Sequence, residues 1–399
     1  MKIILSDRVQ RINEAAMATM GKLSRELKTQ GKDVVTLSLG EPDFNTPTFI
    51  KDAAKKAIDQ DFSHYSPIPG FMELRQQVCY KLQRDNNLSY NPEQIVISTG
   101  AKNSIMNAIF ALINPGDEVI LPAPFWASYY DMILLAGGIP KIISTSINSG
   151  FKISALQLES AVSDKTKMLI FNSPNNPGGF FYNENEIDTL AEVLKRFPQL
   201  FVISDEIYEF FIYSGEKQKS FASFPDLYER IILVNGVSKS FAMTGWRIGY
   251  MAAHKDIARA CDKIQGQITS GPNSIAQQAA IVALQKSPDR ILGIENMRAE
   301  FKKRRDFVFA QLSEIKQFKT LLPEGAFYIF PDVSACFGTR IHGTKINNCN
   351  ELAMLILNEA LVSTTSGEAF GMPECLRISY ANSTAELQKA MERIRKLML

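Results

Sequence analysis

Lys239 stands in NGVSKSFAMTGWRIGY (residues 235–250), flanked by Gly236, Ser238, Ser240 and Thr244, with Arg247 eight positions further on. A lysine amine can act as a nucleophile or a base, and an arginine can anchor an anion at a fixed distance from it. A second stretch, ISTGAKNS (97–104), reads as a strand ending at Ser98-Thr99, a tight turn at Gly100 and a helix opening near Ala101. The free N–H groups of a helix start can cradle a phosphate, although an ordinary strand-to-helix turn has the same signature. FNSPNNPGG (171–179) must turn tightly at the end of a strand, and Asn176 there could donate its amide to a ligand oxygen or simply serve the turn. Asp205 closes the apolar run of ISDEIYE, with Glu206 and Tyr208 behind it. A carboxylate in that position needs a cationic or donor partner, or caps the segment that follows.

These groups require a scaffold that gathers strand ends. From about residue 46 the chain alternates helical and extended patterns. Thr46-Pro47 reads as a helix cap with proline in the first turn, opening KDAAKKAIDQ. FMELRQQVCYKLQRDNN, ISALQLESAV and ENEIDTLAEVLKRF have helical patterning. Extended runs are QIVIST (94–99), EVILPAP (118–124), KIISTSI (141–147), KMLIFNSP (167–174), LFVISD (200–205), RIILVNG (230–236) and IGYMAA (248–253). Short buried-type strands separated by helices predict an α/β fold with a mostly parallel sheet covered on both faces. In such sheets ligands sit at the carboxyl ends of the strands. Beyond about residue 275 the pattern turns helix-heavy, and GAFYIFP and CLRISYA suggest a smaller α+β unit. The expected division is a large domain over 48–285 and a small domain made from 1–47 and 286–399.

Composition removes several classes of function. Lys+Arg of 44 against Asp+Glu of 42 leaves +2 with no block of like charge, so no nucleic-acid footprint is present. MKIILSDRVQ has too short an apolar run for a signal-peptide core, and no segment approaches the roughly 20 apolar residues of a membrane span. Cys79, Cys261, Cys336, Cys349 and Cys375 are odd in number and scattered, which suits reduced thiols in a cytoplasmic protein. His64, His254 and His342 have no ligand spacing, and no metal is expected. No dinucleotide or P-loop glycine motif occurs. Ser214–Lys217 matches S-x-x-K only by chance in a polar run, and GVSKS lacks the final glycine of a nucleophile elbow.

A lysine, a phosphate cradle, an arginine, an aspartate and a tyrosine are together what pyridoxal 5′-phosphate needs. The chain resembles the fold-type I, class I aminotransferases, in the branch containing bacterial aspartate aminotransferases. The resemblance runs in family order through VTLSLGEPDFNTP, HYSPIPG, STGAKNS, PAPFWASY, NSPNNPGG, SDEIYE, VSKSFAMTGWRIGY, EGAFY and LRISYA, nearly the whole length. It implies that Lys239 forms the Schiff base with the cofactor and then moves protons. Asp205 would pair with the pyridine nitrogen, and Tyr208 and Asn176 would bond the ring's phenolic oxygen. Arg247, Ser238 and the backbone of Gly100, Ala101 and Lys102 would hold the phosphate, and Trp126 would stack on the ring. Arg377 would grip the substrate α-carboxylate, with Gly40 leaving room for it. Tyr65 would reach the phosphate of a neighbouring subunit, making the protein a two-fold homodimer with shared sites.

Departures bear on specificity. The family usually reads Asn-Pro-Thr-Gly where this chain has Asn176-Pro177-Gly178-Gly179, a change that removes a hydroxyl and adds flexibility. Gly236 stands where some members place a phosphate-binding serine. Relatives accepting aspartate or prephenate often read R-x-K-P-S-x-T near the start, whereas this chain has Arg11-Ile12-Asn13-Glu14-Ala15-Ala16-Met17. That loss argues against prephenate and leaves Lys102 as a partner for a side-chain carboxylate. L-Aspartate with 2-oxoglutarate is the expected pair. Aromatic or alanine transamination and carbon–sulfur β-elimination are alternatives on the same cofactor. A non-catalytic regulator is disfavoured, since the chain carries no helix-turn-helix extension.

Overall fold

A computed structural model describes residues 3–13 and 16–398. Its centre is a seven-stranded sheet: β1 (Ile95–Thr99), β2 (Glu118–Pro122), β3 (Ile139–Ile143), β4 (Thr166–Asn172), β5 (Phe201–Asp205), β6 (Ile231–Gly236) and β7 (Ile248–Ala252). The spatial order is β1-β7-β6-β5-β4-β2-β3. The contacts β3–β2–β4–β5–β6 are parallel, while β7 runs antiparallel to both β6 and β1. Every strand except β7 therefore points the same way, and the ends Thr99, Asn172, Asp205 and Gly236 emerge along one edge.

The expected runs become strands with trimmed ends. EVILPAP stops at Pro122, and KIISTSI stops at Ile143, its end giving way to a 3₁₀ turn over Ile147–Ser149. The strands β5, β6 and β7 are almost wholly buried because helices cover both faces, which explains their continuous apolar sequence. Helix Ala101–Leu112 buries Ile105, Ala108 and Ile109 against the sheet. Each of the two isoleucines contributes roughly 1.5–3 kcal/mol relative to exposure.

The cap expected at Thr46 is not formed. The helix begins at Thr48 after Pro47, with no side-chain cap. The Thr46 hydroxyl instead donates to the Ala242 carbonyl and accepts from the Trp246 indole N–H. It ties the amino-terminal segment to the loop carrying Lys239.

Outside the central sheet, Val35–Thr36 pairs in parallel with Val362–Ser363. A three-stranded antiparallel sheet joins Thr365–Ser366, Leu376–Ser379 and Tyr328–Ile329. Helices Ala16–Thr29, Cys349–Ala360 and Thr384–Met398 pack around these short strands. Among the described residues no helix is long and apolar enough to cross a membrane.

Candidate active site

At the carboxyl edge of the sheet lies a cavity of about 480 Å³, within the size range of small-molecule sites. Gly40, Ala101, Lys102, Trp126, Asn176, Asp205, Tyr208, Ser238, Lys239 and Arg247 all line it. Gly100 backs its wall. Arg377 sits one layer behind, and Tyr65 is 94% exposed at the surface outside it.

Backbone crowding fixes the floor. Gly236 and Gly249 are direct partners in the β6–β7 register. A Cβ on Gly249 would stand 2.1 Å from the Ala101 nitrogen, and one on Gly236 would stand 2.9 Å from the Gly249 Cα. These glycines let the Gly100–Ala101 turn press against the sheet, so Gly236 serves backbone packing before any ligand. Gly100 has φ of 82°, and a Cβ there would meet the Arg247 guanidinium at 2.4 Å. Arg247, itself at φ 57°, donates from Nη1 to the Thr244 carbonyl. A guanidinium thus lies beside the start of helix Ala101–Leu112, where the dipole is also positive. Among the described residues Arg247 makes no ion pair, so the arrangement suits an anion.

Lys239 follows β6 by three residues. Its Nζ donates to the Gly40 carbonyl at 2.7 Å and lies 5.9 Å from the centroids of Tyr208 and Phe327. Burial pulls its pKa down to about 8, Glu41 opposing and Arg247 adding to the fall. A useful share of the amine is neutral near physiological pH.

Asp205 ends β5 and is 4% exposed. Burial raises its pKa to about 6, against the Tyr129 hydroxyl donating at 2.6 Å and the Ile207 N–H at 3.1 Å. The carboxylate therefore caps the next turn and also faces the cavity. Neighbouring Glu206 points to the other face, where the Ser204 and Ser220 hydroxyls donate to it, and burial raises its pKa to about 7.

The turn after β4 separates the two asparagines by role. Asn175 Oδ1 accepts from the Gly178 N–H and its amide donates to the Pro124 carbonyl. Asn176 is held by its own N–H donating to Asn172 Oδ1, and its Oδ1 accepts from Arg377 Nη1 at 3.0 Å. Gly178 is more than a flexible substitute: a Cβ there would meet the Phe180 ring at 2.5 Å.

Arg377 is fully buried, and burial lowers its pKa. Nη2 donates to the Ser38 carbonyl, its guanidinium lies 4.9 Å from the rings of Tyr328 and Phe370, and Nε has no partner among the described residues. Tyr208 is bonded through its hydroxyl to the Tyr328 hydroxyl at 2.8 Å. Gly40 leaves space that Tyr328 fills, since a Cβ there would stand 2.3 Å from the Tyr328 hydroxyl. Gly40 also lines the cavity, so the room expected there for a substrate carboxylate is bounded on one side by the Tyr328 phenol. Trp126 meets Tyr129 edge-on at 5.2 Å, and Lys102 lies 5.3 Å over its ring. Burial, and then Arg247, lowers the Lys102 pKa.

Sequence reasoning left Tyr129, Tyr328, Asn172, Arg25 and Glu41 without roles. Tyr129 and Tyr328 lay inside PAPFWASY and EGAFY, so position was visible while the partner was not. Of the Arg11–Met17 stretch, Glu14 and Ala15 lie outside the described residues, as do the side chains of Ala16 and Met17. Among the described residues no cluster of His, Cys, Asp or Glu could hold a metal ion.

Residues 32–394 match the sequence profile described as aminotransferase class I and II. The aspartate/prephenate aminotransferase of Cereibacter sphaeroides is 44% identical over 98% of this chain and 97% of its own. A bifunctional aspartate aminotransferase and glutamate/aspartate-prephenate aminotransferase of Petunia hybrida is 43% identical, over 100% of this chain and 83% of its own. Among solved structures, the aspartate aminotransferase of Rhizobium meliloti superposes with a TM-score of 0.95 at 37% identity, covering 100% and 99% of the two chains. That of Thermus thermophilus, solved with maleate, gives 0.93 at 35% identity over 99% and 100%. The cavity with its lysine, aspartate and arginine therefore sits in a fold and a sequence of known kind, and the chain belongs to the class I and II aminotransferases.

Proposed function

We propose that the chain transfers the amino group of L-aspartate to 2-oxoglutarate, using pyridoxal 5′-phosphate held in the cavity. The observation that carries this reading is the joint placement of a buried lysine amine, a buried carboxylate and an unpaired arginine at a helix start. When bound, the cofactor supplies an aldehyde that takes up an amine and a ring that draws electrons from the substrate Cα.

The residues fit that group. The N–H groups of Ala101 and Lys102, the Ser238 hydroxyl and Arg247 would hold the phosphate. Asp205 would keep the pyridine nitrogen protonated, and Tyr129 keeps Asp205 ionised by donating to it. Tyr208 and Asn176 would donate to the phenolic oxygen, and Trp126 would cover one face of the ring. Lys239, with its pKa lowered, takes and returns a proton at Nζ. Arg377 would receive the α-carboxylate once Asn176 and the Ser38 carbonyl share it. Catalysis then runs in two halves, the amino acid leaving as an oxo acid before the second oxo acid enters.

Residues 48–285 form the large domain, and 1–47 with 286–399 the small one; the pairing of Val35–Thr36 with Val362–Ser363 supports that division. Tyr65, exposed and outside its own cavity, completes the site of a partner copy in a homodimer. Aspartate is favoured over prephenate because the R-x-K-P-S-x-T residues are missing, even though several relatives carry both names. The test is the visible spectrum of the purified protein before and after L-aspartate. A yellow band that aspartate converts supports cofactor and donor together. A yellow band that aspartate leaves unchanged removes the donor, and a protein that stays colourless with added cofactor removes the whole reading.

A further inference from the structure

The cavity is also lined by residues to which no contact with a cofactor falls. Gly21 and Arg25, one turn apart on helix Ala16–Thr29, both line it. A Cβ on Gly21 would lie 3.4 Å from Arg25 Nη1. The guanidinium thus folds back along its own helix, in the direction helical side chains favour. Among the described residues Arg25 makes no ion pair and no hydrogen bond. Lys102 lines the same cavity, held over the Trp126 ring, as do Lys239 and Arg247, which the cofactor would engage. Glu41 also lines it, but its Oε2 already accepts from the Thr244 hydroxyl.

We propose that Arg25 receives the side-chain carboxylate of a dicarboxylic substrate, together with Lys102, and so sets the preference for aspartate over monocarboxylic amino acids. A guanidinium fork matches a carboxylate in two parallel hydrogen bonds, whereas an ammonium offers only a point charge. Arg25 thereby supplies the cation that the Arg11–Met17 stretch no longer offers. The proposal rests on the aspartate reading above and names the residue that gives it physical content.

The test uses holoenzyme of the wild type, Arg25→Leu and Arg25→Lys. Spectral titration with maleate measures binding without turnover, and kcat/KM is compared for L-aspartate and L-alanine. In Arg25→Leu, maleate should bind about 10- to 100-fold more weakly, the range of a lost charged hydrogen-bond pair. The aspartate-to-alanine ratio of kcat/KM should fall at least about tenfold, mainly through the KM for aspartate, on the same estimate. Arg25→Lys should recover part of both, and it decides the matter if the leucine variant melts early. Unchanged maleate affinity with an unchanged ratio in both variants overturns the role of Arg25 while aspartate remains the substrate. A wild type that neither binds maleate nor prefers aspartate removes the aspartate reading itself, and this proposal with it.

Discussion

Asp205→Asn should make the cofactor-stripped protein more stable at neutral pH while abolishing its activity. Asp205 has its pKa raised from 3.8 to about 6 by burial. The unfolded chain therefore ionises at lower pH than the folded one, and between the two values the folded state binds more protons. Stability due to this group is fully present below about pH 4 and is lost as pH rises through about 6. The difference, 6 minus 3.8, is about two units, or roughly 3 kcal/mol at 1.36 kcal/mol per unit. Asparagine removes that cost but has one carbonyl oxygen for two donors, the Tyr129 hydroxyl and the Ile207 N–H. Losing one of these bonds returns about 1 kcal/mol, which leaves a gain of about 2 kcal/mol. With an unfolding entropy of roughly 2.1 cal/mol/K per residue, the melting temperature should rise by about 2–3 °C at pH 8. Melting curves of both proteins from pH 4.5 to 8 measure this, and the two should converge at the acid end. An asparagine variant that melts below the wild type at pH 8, or a gap independent of pH, refutes the reasoning.

Two further substitutions probe residues that hold the site in shape. Tyr129→Phe removes the hydroxyl donated to Asp205 Oδ2, so the Asp205 pKa should climb further. We expect kcat to fall about 10- to 100-fold, the worth of a hydrogen bond to a charged group. The acid limb of the pH–rate profile should move up, and a limb that stays in place assigns Tyr129 to packing alone. Gly178→Thr puts a side chain where the Phe180 ring already lies, 2.5 Å from the new Cβ. It should destabilise by about 1–3 kcal/mol in chemical denaturation, as overpacking does. Much of that loss should vanish when Phe180→Ala is the background, and strict additivity of the two changes contradicts the clash.

The strands were legible because a sheet covered on both faces leaves continuous apolar runs, and all seven runs became strands. The reversed direction of β7 was hidden, since IGYMA is buried on both faces whichever way it runs. Thr46 shows the limit of local rules: a hydroxyl placed to cap a helix serves Ala242 and Trp246, about 200 residues away in sequence. The site divides in the same way. Residues that act through their own chemical type, such as Lys239, Asp205 and Arg247, could be named from type and motif, and they meet in one cavity. Residues that act by touching a distant side chain could not. Tyr328 takes the space beside Gly40, joins its hydroxyl to Tyr208 and faces Arg377, three contacts with segments remote in sequence, Tyr208 lying 120 residues away. Gly40 then has to be glycine because of a phenol across the cleft, whatever carboxylate later enters.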